Sequence, residues 1–229
     1  RPCFVIFVTQ NNHVFWCFIP IIVSIYHQTI MLKEQLANYT IILASSSPRR
    51  QELLTSLNID FEVRLKPVKE NFPDYLCHHE ISDFLAVLKS RPFINDLKSK
   101  EILITSDTIV WHNNKALGKP TTQQEAIDML KSLSHQTHEV ITSVCFTTYN
   151  TQKTINSVTR VKFKELSDDE IWYYVTKYNP MDKAGAYGIQ DWIGQIGIEK
   201  IEGSYFNVMG LPIDLVYKNL LDLTSLKKT

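Results

Sequence analysis

The stretch Ile41-Ile42-Leu43-Ala44-Ser45-Ser46-Ser47-Pro48-Arg49-Arg50-Gln51-Glu52-Leu53-Leu54 decides the fold. Its first three residues are a short apolar run that reads as a buried strand. Ser47 followed by Pro48 reads as a helix N-cap with proline at the first helical position, so a strand feeds directly into a helix over 47–57. Arg49 and Arg50 then break a local rule. They sit in the first turn, where unpaired N–H groups and the positive end of the helix dipole disfavour cations. An anion docked there would gather the hydroxyls of Ser45 and Ser47, the free N–H groups and both guanidiniums, which makes the stretch a polyphosphate cradle. The competing reading pairs the two arginines with nearby carboxylates such as Glu52.

Downstream, residues 61–65 alternate as a second strand, and Glu70 follows in a proline-flanked loop. Ile81, Phe84, Leu85 and Leu88 recur at helical spacing over 79–90 and leave Lys89 beside the buried stripe. Residues 101–111 form the deepest strand candidate, with Ile102, Leu103, Ile104, Ile109 and Val110 enclosing Ser106, Asp107 and Thr108. A carboxylate in such a run needs a cation, a metal or donors to compensate it, so Asp107 stands out; the alternative is an end-of-strand aspartate capping a turn. Asn113-Asn114 reads as a tight hairpin turn, followed by Gly118-Lys119-Pro120. Thr122 with Glu125, and Ser167 with Glu170, read as capping boxes opening helices to Leu133 and Lys177. Between them lie two long strands over 139–163. The second helix presents Ile171, Tyr174 and Val175 as an ordinary buried face. Asp182-Lys183-Ala184-Gly185-Ala186-Tyr187-Gly188-Ile189-Gln190 is a glycine-interrupted loop of the kind that brings backbone close to a ligand. A strand near 196–201 and a helix over 212–223 close the domain.

With 229 residues, 44% of them hydrophobic, the chain can bury a substantial core. Its 24 Lys and Arg balance 24 Asp and Glu, so there is no electrostatic footprint for nucleic acid. Cys3, Cys17, Cys77 and Cys145 show neither zinc spacing nor a disulfide framework, and a reducing cytoplasm is the expected compartment. Residues 1–38 do not resemble the rest. The apolar run over 14–26 is about half the length of a membrane span and is interrupted by Pro20. We read residues 1–38 as an N-terminal extension outside the functional domain of residues 39–229, with residues 1–30 arising from translation upstream of Met31; the rival reading is a short membrane-associating extension.

Five motifs together carry a resemblance: Ala-Ser-Ser-Ser-Pro-Arg-Arg-Gln-Glu-Leu-Leu at 44–54, Ser-Asp-Thr-Ile-Val at 106–110, Gly-Lys-Pro at 118–120, Thr-His-Glu-Val at 137–140 and the loop at 182–190. In that order they resemble the Maf family of nucleoside triphosphate pyrophosphatases, and Gly-Ser-Tyr-Phe-Asn-Val-Met-Gly-Leu-Pro at 203–212 extends the match. The resemblance implies an α/β fold of two lobes around a mixed sheet flanked by helices, with the nucleotide in the cleft between lobes. It implies hydrolysis of dTTP and UTP to the monophosphate and pyrophosphate with Mg²⁺ or Mn²⁺, in a cytoplasmic enzyme that forms homodimers. It suggests Asp107 as proton acceptor and Arg49, Thr108 and Gln190 as specificity residues. Ser45, Ser47, Arg50, Lys89 and Lys119 would bind phosphates, and Glu70 with Asp107 would hold the metal. Two departures are visible: His135-Gln136 replaces the family's Gly-Arg before the Thr-His-Glu-Val motif, and Lys66-Pro67-Val68-Lys69 replaces a more acidic loop. His138 reads as a hydrogen-bonded structural histidine. The resemblance leaves two further readings open, a nucleotide-responsive regulator of septum formation and the sister activity on 7-methyl-GTP.

Overall fold

The structure is a computed structural model that describes residues 9–10, 13–14 and 32–225. Most of the expected extension, including almost all of the apolar run over 14–26, lies outside the described residues. Its described parts are a two-residue antiparallel ladder between Thr9–Gln10 and His13–Val14, and residues 32–38. Residues 32–36 are helical and bury Leu32 and Leu36 in the main core, so the folded body reaches back beyond residue 39. No helix among the described residues is long and apolar enough to cross a membrane.

The decisive stretch folds as its residues dictate. Strand β1 (Thr40–Leu43) is buried along its apolar run, and helix α1 (Pro48–Thr55) starts at proline with Ser47 as N-cap. Strand β2 (Phe61–Val63) returns parallel to β1 and stops two residues short of the expected end, because beyond Ala44 its partner has turned toward α1. Helix α2 (His79–Ser90) crosses over to β3 (Glu101–His112), the twelve-residue strand that carries Asp107. Asn113 and Asn114, both at positive φ (49° and 58°), make the two-residue turn into β4 (Lys115–Leu117). Helix α3 (Gln123–Leu133) leads to the long antiparallel pair β5 (Thr137–Thr147) and β6 (Gln152–Phe163). Helix α4 (Asp168–Tyr178), short helix α5 (Trp192–Gly197), strand β7 (Ile198–Glu202), short helix α6 (Tyr205–Met209) and helix α7 (Ile213–Ser225) complete the chain. The sequence reading missed α5 and α6. The Ser167–Glu170 box is complete. At α3, by contrast, Thr122 accepts from the Glu125 N–H but the Glu125 carboxylate accepts from Thr121, one residue earlier than a box requires.

The seven-stranded mixed sheet runs β2-β1-β3-β5-β6-β7, with β4 folded back on β3. One detail of register positions everything else. On the edge of β3 away from β5, β1 pairs only with Glu101–Ile104 and β4 only with Val110–His112. Among the described residues, 105–109 therefore have no strand partner on that side. The face carrying α7 mirrors this interruption. Ile102 and Ile104 join a core with Leu54, Val216 and Leu220, whereas Val110 joins a second core with Leu130, Phe163, Ile171 and Tyr174. Ser106 and Thr108 lie between the two, and the domain divides into two lobes at this polar strip. On the opposite face α2 packs Ile81 and Leu85 against Ile109 and Ile141.

Candidate active site

Side chains of a strand alternate between faces, so Asp107 and Thr108 point to opposite sides of the sheet. Both nevertheless line one cleft, because the edge between them is uncovered. The cleft encloses about 690 Å³ of space open to solvent and is walled by both lobes. Ser47, Arg49, Arg50, Lys89, Lys119 and Asp182 are shared with a second, continuous hollow that runs past Ser45 to Glu70. A polar, cationic compartment thus opens into one whose walls include Val110, Val140, Tyr187, Val208 and Met209.

The cationic side is built from α1 outward. Ser47 occupies the N-cap, but its hydroxyl makes no capping bond, and Ser45 Oγ accepts from the Ser47 N–H at 3.2 Å. Arg49 donates to Asp182 Oδ2 at 2.9 Å across the cleft, not to Glu52. Burial opposes ionisation of Asp182, but hydrogen bonds from Lys183 and Arg49 outweigh it and hold this carboxyl below its usual range. Arg50, expected to bind phosphate, lines the cleft but is also held by the protein itself. Its guanidinium turns inward and donates to Gly210 O (2.8 Å), Ser106 O (2.8 Å) and Thr108 Oγ1 (3.0 Å), filling the gap in the β3 edge. Burial pushes the Arg50 guanidinium below its ordinary value, with the charge of Asp107 pulling the other way; an arginine stays protonated at neutral pH regardless.

Asp107 is the buried carboxylate that the sequence singled out, its side chain 8% exposed. Lys89, on the last turn of α2, meets Asp107 Oδ1 at 2.6 Å and Glu70 Oε2 at 3.2 Å, so one ammonium is shared between two carboxylates and the trio keeps a net negative charge. Asp107 Oδ2 is buried and has no hydrogen-bond partner among the described residues. Lys119 is exposed at the cleft mouth. Thr108 Oγ1 lies 3.0 Å from Thr142 Oγ1, which bonds to Asn207 O at 2.9 Å and ties the strip to α6. Gln190 reaches the cleft from the opposite lobe, and its Oε1 is also buried without a partner. All the residues named from the sequence thus line the cleft or its extension.

Other residues around the cleft carried no assigned role. Asp182 and Lys183 stood inside the quoted loop, and their side chains prove to pair with each other at 2.7 Å. Tyr174, read as a packing residue, also hydrogen-bonds into that loop. Its signal in sequence was only a tyrosine at a fully buried helical position, where a phenol O–H needs a partner. His138 is the structural histidine expected: its Nε2 lies 2.7 Å from the Tyr187 hydroxyl and its ring stacks on Phe163. Burial, with a smaller push from His112, lowers its pKa to about 3.

Comparison with known proteins gives a consistent set of relatives. The family model described as Maf-like protein matches residues 40–223. A dTTP/UTP pyrophosphatase of Christiangramia forsetii is 58% identical over 193 residues, covering 84% of this chain and 98% of that protein. Its counterpart in Flavobacterium johnsoniae is 57% identical, covering 84% and 100%. The one in Bacteroides fragilis is 54% identical, covering 82% and 98%. Among solved structures, the Staphylococcus aureus Ham1 protein is 17% identical with a TM-score of 0.46, over 80% of this chain and 99% of that one.

Proposed function

Because the chain belongs to the Maf family, we propose that it is a cytoplasmic nucleoside triphosphate pyrophosphatase that hydrolyses dTTP and UTP to the monophosphate and pyrophosphate. The observation that carries this reading is the pairing of two partnerless buried oxygens, Asp107 Oδ2 and Gln190 Oε1, at two sides of a cleft whose connecting floor is cationic. On this reading the Asp107 oxygen faces the reacting phosphate and the Gln190 oxygen meets the edge of the base.

The triphosphate is polyanionic, so Lys89, Lys119, Arg49 and the first-turn N–H groups of α1 neutralise it and hold it extended along the hollow. Water attacks the α-phosphorus, the bond from that phosphorus to the α–β bridging oxygen breaks, and pyrophosphate leaves with that oxygen. Asp107 orients the water and takes its proton, a contribution of about 10²–10⁴-fold. The compartment between Val110, Val140 and Met209 accepts a flat base, and the Gln190 amide offers a donor and an acceptor to its edge.

The donor set also fits a divalent cation. Asp107 and Glu70 are two oxygen ligands brought together by a shared lysine, one of them with an oxygen still unpartnered. Among the described residues no group of three His, Cys, Asp or Glu side chains could hold a metal, so substrate phosphates would complete the shell, as is usual for Mg²⁺. When bound, the ion stabilises the charge that develops on the leaving pyrophosphate. Lys89 would then exchange its carboxylate partners for phosphate oxygens.

The test is pyrophosphate release with Mg²⁺ from dTTP, UTP, CTP, GTP and 7-methyl-GTP, run beside Asp107→Asn. Release from dTTP and UTP that falls by at least about 10² in the variant supports the assignment. Preference for 7-methyl-GTP, or no release from any nucleotide by the folded protein with either Mg²⁺ or Mn²⁺, refutes it.

A further inference from the structure

Selection between uracil and cytosine turns on one ring atom: N3 carries a proton in uracil and thymine and a lone pair in cytosine. The Gln190 amide can turn about its own side-chain bond and present either Oε1 or Nε2, so it serves both bases. A group that selects must have its polarity fixed by its neighbours, and Thr108 is such a group.

The polarity follows from counting protons. Arg50 donates to Thr108 Oγ1 at 3.0 Å, and a guanidinium has no acceptor, so this bond runs one way. At the other end Thr142 Oγ1 lies 2.9 Å from Asn207 O, and a carbonyl can only accept. The single hydroxyl proton of Thr142 is thereby committed to Asn207. The 3.0 Å contact between the two threonine hydroxyls is then made by the proton of Thr108. Each hydroxyl of the chain accepts from one neighbour and donates to the next, an arrangement in which the bonds reinforce one another. Thr108 is left with one lone pair, and no proton, for anything else.

The far end of this chain is firmly held. Asn207 is fully buried, its Nδ2 donates to Val140 O at 3.0 Å and Thr159 Oγ1 at 2.9 Å, and its carbonyl also accepts from the Gly210 N–H at 3.0 Å. Thr142 is fully buried, whereas Thr108 is half-buried and lines the cleft. Register sets it beside the apolar compartment: Thr108 pairs with Thr142 and Val110 with Val140, all four on one face of β3 and β5. A base seated on the two valines has its edge beside Thr108. Gly210 also lines the cleft, and a Cβ there would stand 3.5 Å from Thr108 Oγ1, so the glycine leaves that side of the hydroxyl uncovered.

We propose that Thr142 is a positioning residue for base selection: by taking the Thr108 proton it makes Thr108 an acceptor, which suits the N3–H of uracil and thymine and opposes N3 of cytosine. To donate to cytosine, Thr108 would have to withdraw its proton from Thr142, and the chain would lose a bond. The proposal rests on the pyrophosphatase reading above and extends it to a buried residue that does not line the cleft.

The experiment is steady-state pyrophosphate release from UTP and CTP by the full chain, comparing wild type with Thr142→Val and Thr142→Ser. Valine keeps the shape of the side chain but offers Thr108 no acceptor, and Asn207 O keeps its bond from Gly210. Thr142→Val is expected to raise kcat/KM for CTP about tenfold and to leave that for UTP within about twofold, whereas general loosening would lower both. Thr142→Ser restores the acceptor and with it the wild-type ratio. An active Thr142→Val variant whose ratio is unchanged, or falls only through loss of UTP turnover, overturns this proposal alone. If Thr142→Val does not fold, the other two proteins decide: a preference for UTP of at least about tenfold, shared by wild type and Thr142→Ser, supports it, and equal use of UTP and CTP by wild type overturns it. A wild type that hydrolyses neither nucleotide overturns the functional reading and this proposal together.

Discussion

Replacing Arg50 by lysine separates two roles that α1 could assign to its second arginine. If the residue were chiefly a phosphate ligand, a lysine would keep the charge and the fold would be indifferent. The geometry says otherwise, because the planar guanidinium spends Nε and both terminal nitrogens on three divergent acceptors, Gly210 O, Ser106 O and Thr108 Oγ1. An ammonium on a single stem can keep one of those bonds in place. The other two acceptors lose a charged donor, at about 1.5–2.5 kcal/mol each, so the variant should be destabilised by about 3–5 kcal/mol. In a domain of this size about 2–4 °C of melting temperature follows each kcal/mol, which places the fall at about 10 °C. Arg49→Lys is the comparison, since its partner Asp182 is 58% exposed and such pairs contribute little. Thermal melts by circular dichroism, with urea titrations to obtain the free energies, should show Arg49→Lys within about 2 °C of wild type and Arg50→Lys far below it. Equal melting temperatures for Arg50→Lys and wild type would refute the argument that this side chain clasps the open strand edge.

Acid sensitivity should trace in part to His138. With its folded pKa near 3 against an ordinary 6.5, the unfolded chain binds more protons between those values, so this stability is complete above about pH 6.5 and is lost as pH falls through the window. Urea unfolding at pH 7 and pH 5 should differ by about 2 kcal/mol from this group, and His138→Gln, which can still bond to the Tyr187 hydroxyl, should flatten the dependence. Chelation with EDTA should abolish pyrophosphate release, and added Mg²⁺ or Mn²⁺ should restore it. The melting temperature should move by less than about 2 °C on chelation, because Lys89 bridges Asp107 and Glu70 and holds them together without an ion; unfolding on chelation would contradict that.

The strand-to-helix turn at Ser47 and Pro48, the Asn113-Asn114 hairpin and the suspicion attached to Asp107 were all legible in the sequence, because each depends on local chemistry. What was not legible depends on pairing between distant segments. Nothing local says that β1 ends at the level of Ile104 while β4 begins opposite Val110, and that offset creates the cleft. The inward turn of Arg50 is invisible for the same reason: two of its acceptors are backbone carbonyls 56 and 160 residues away. Arg49 was open between a cradle and a partner such as Glu52, and its actual partner, Asp182, lies 133 residues on. Tyr174 was read correctly as buried and incompletely as inert, since its hydroxyl bonds to residues of a loop whose course no periodicity reveals.

The open edge also explains how a strand interior, normally the least accessible part of a sheet, can present to a cleft the carboxylate that we propose as the catalytic base. A fully paired β3 would send Asp107 toward α2 and Thr108 toward α7, on opposite sides of a continuous sheet, where no single ligand could touch both. Withdrawing strand cover from five residues lets one cleft reach round the edge, but it leaves Ser106 O exposed to an unsatisfied existence and divides the core in two. Arg50 and Lys89 resolve this from opposite faces. Arg50 satisfies the carbonyl and ties the edge to Gly210, and Lys89 balances Asp107 while remaining exchangeable, since a single ammonium holds two carboxylates and needs neither exclusively. One cation is fixed by three bonds and the other is poised between partners, so the two basic residues should separate cleanly by experiment: Arg50 through melting temperature, Lys89 through turnover.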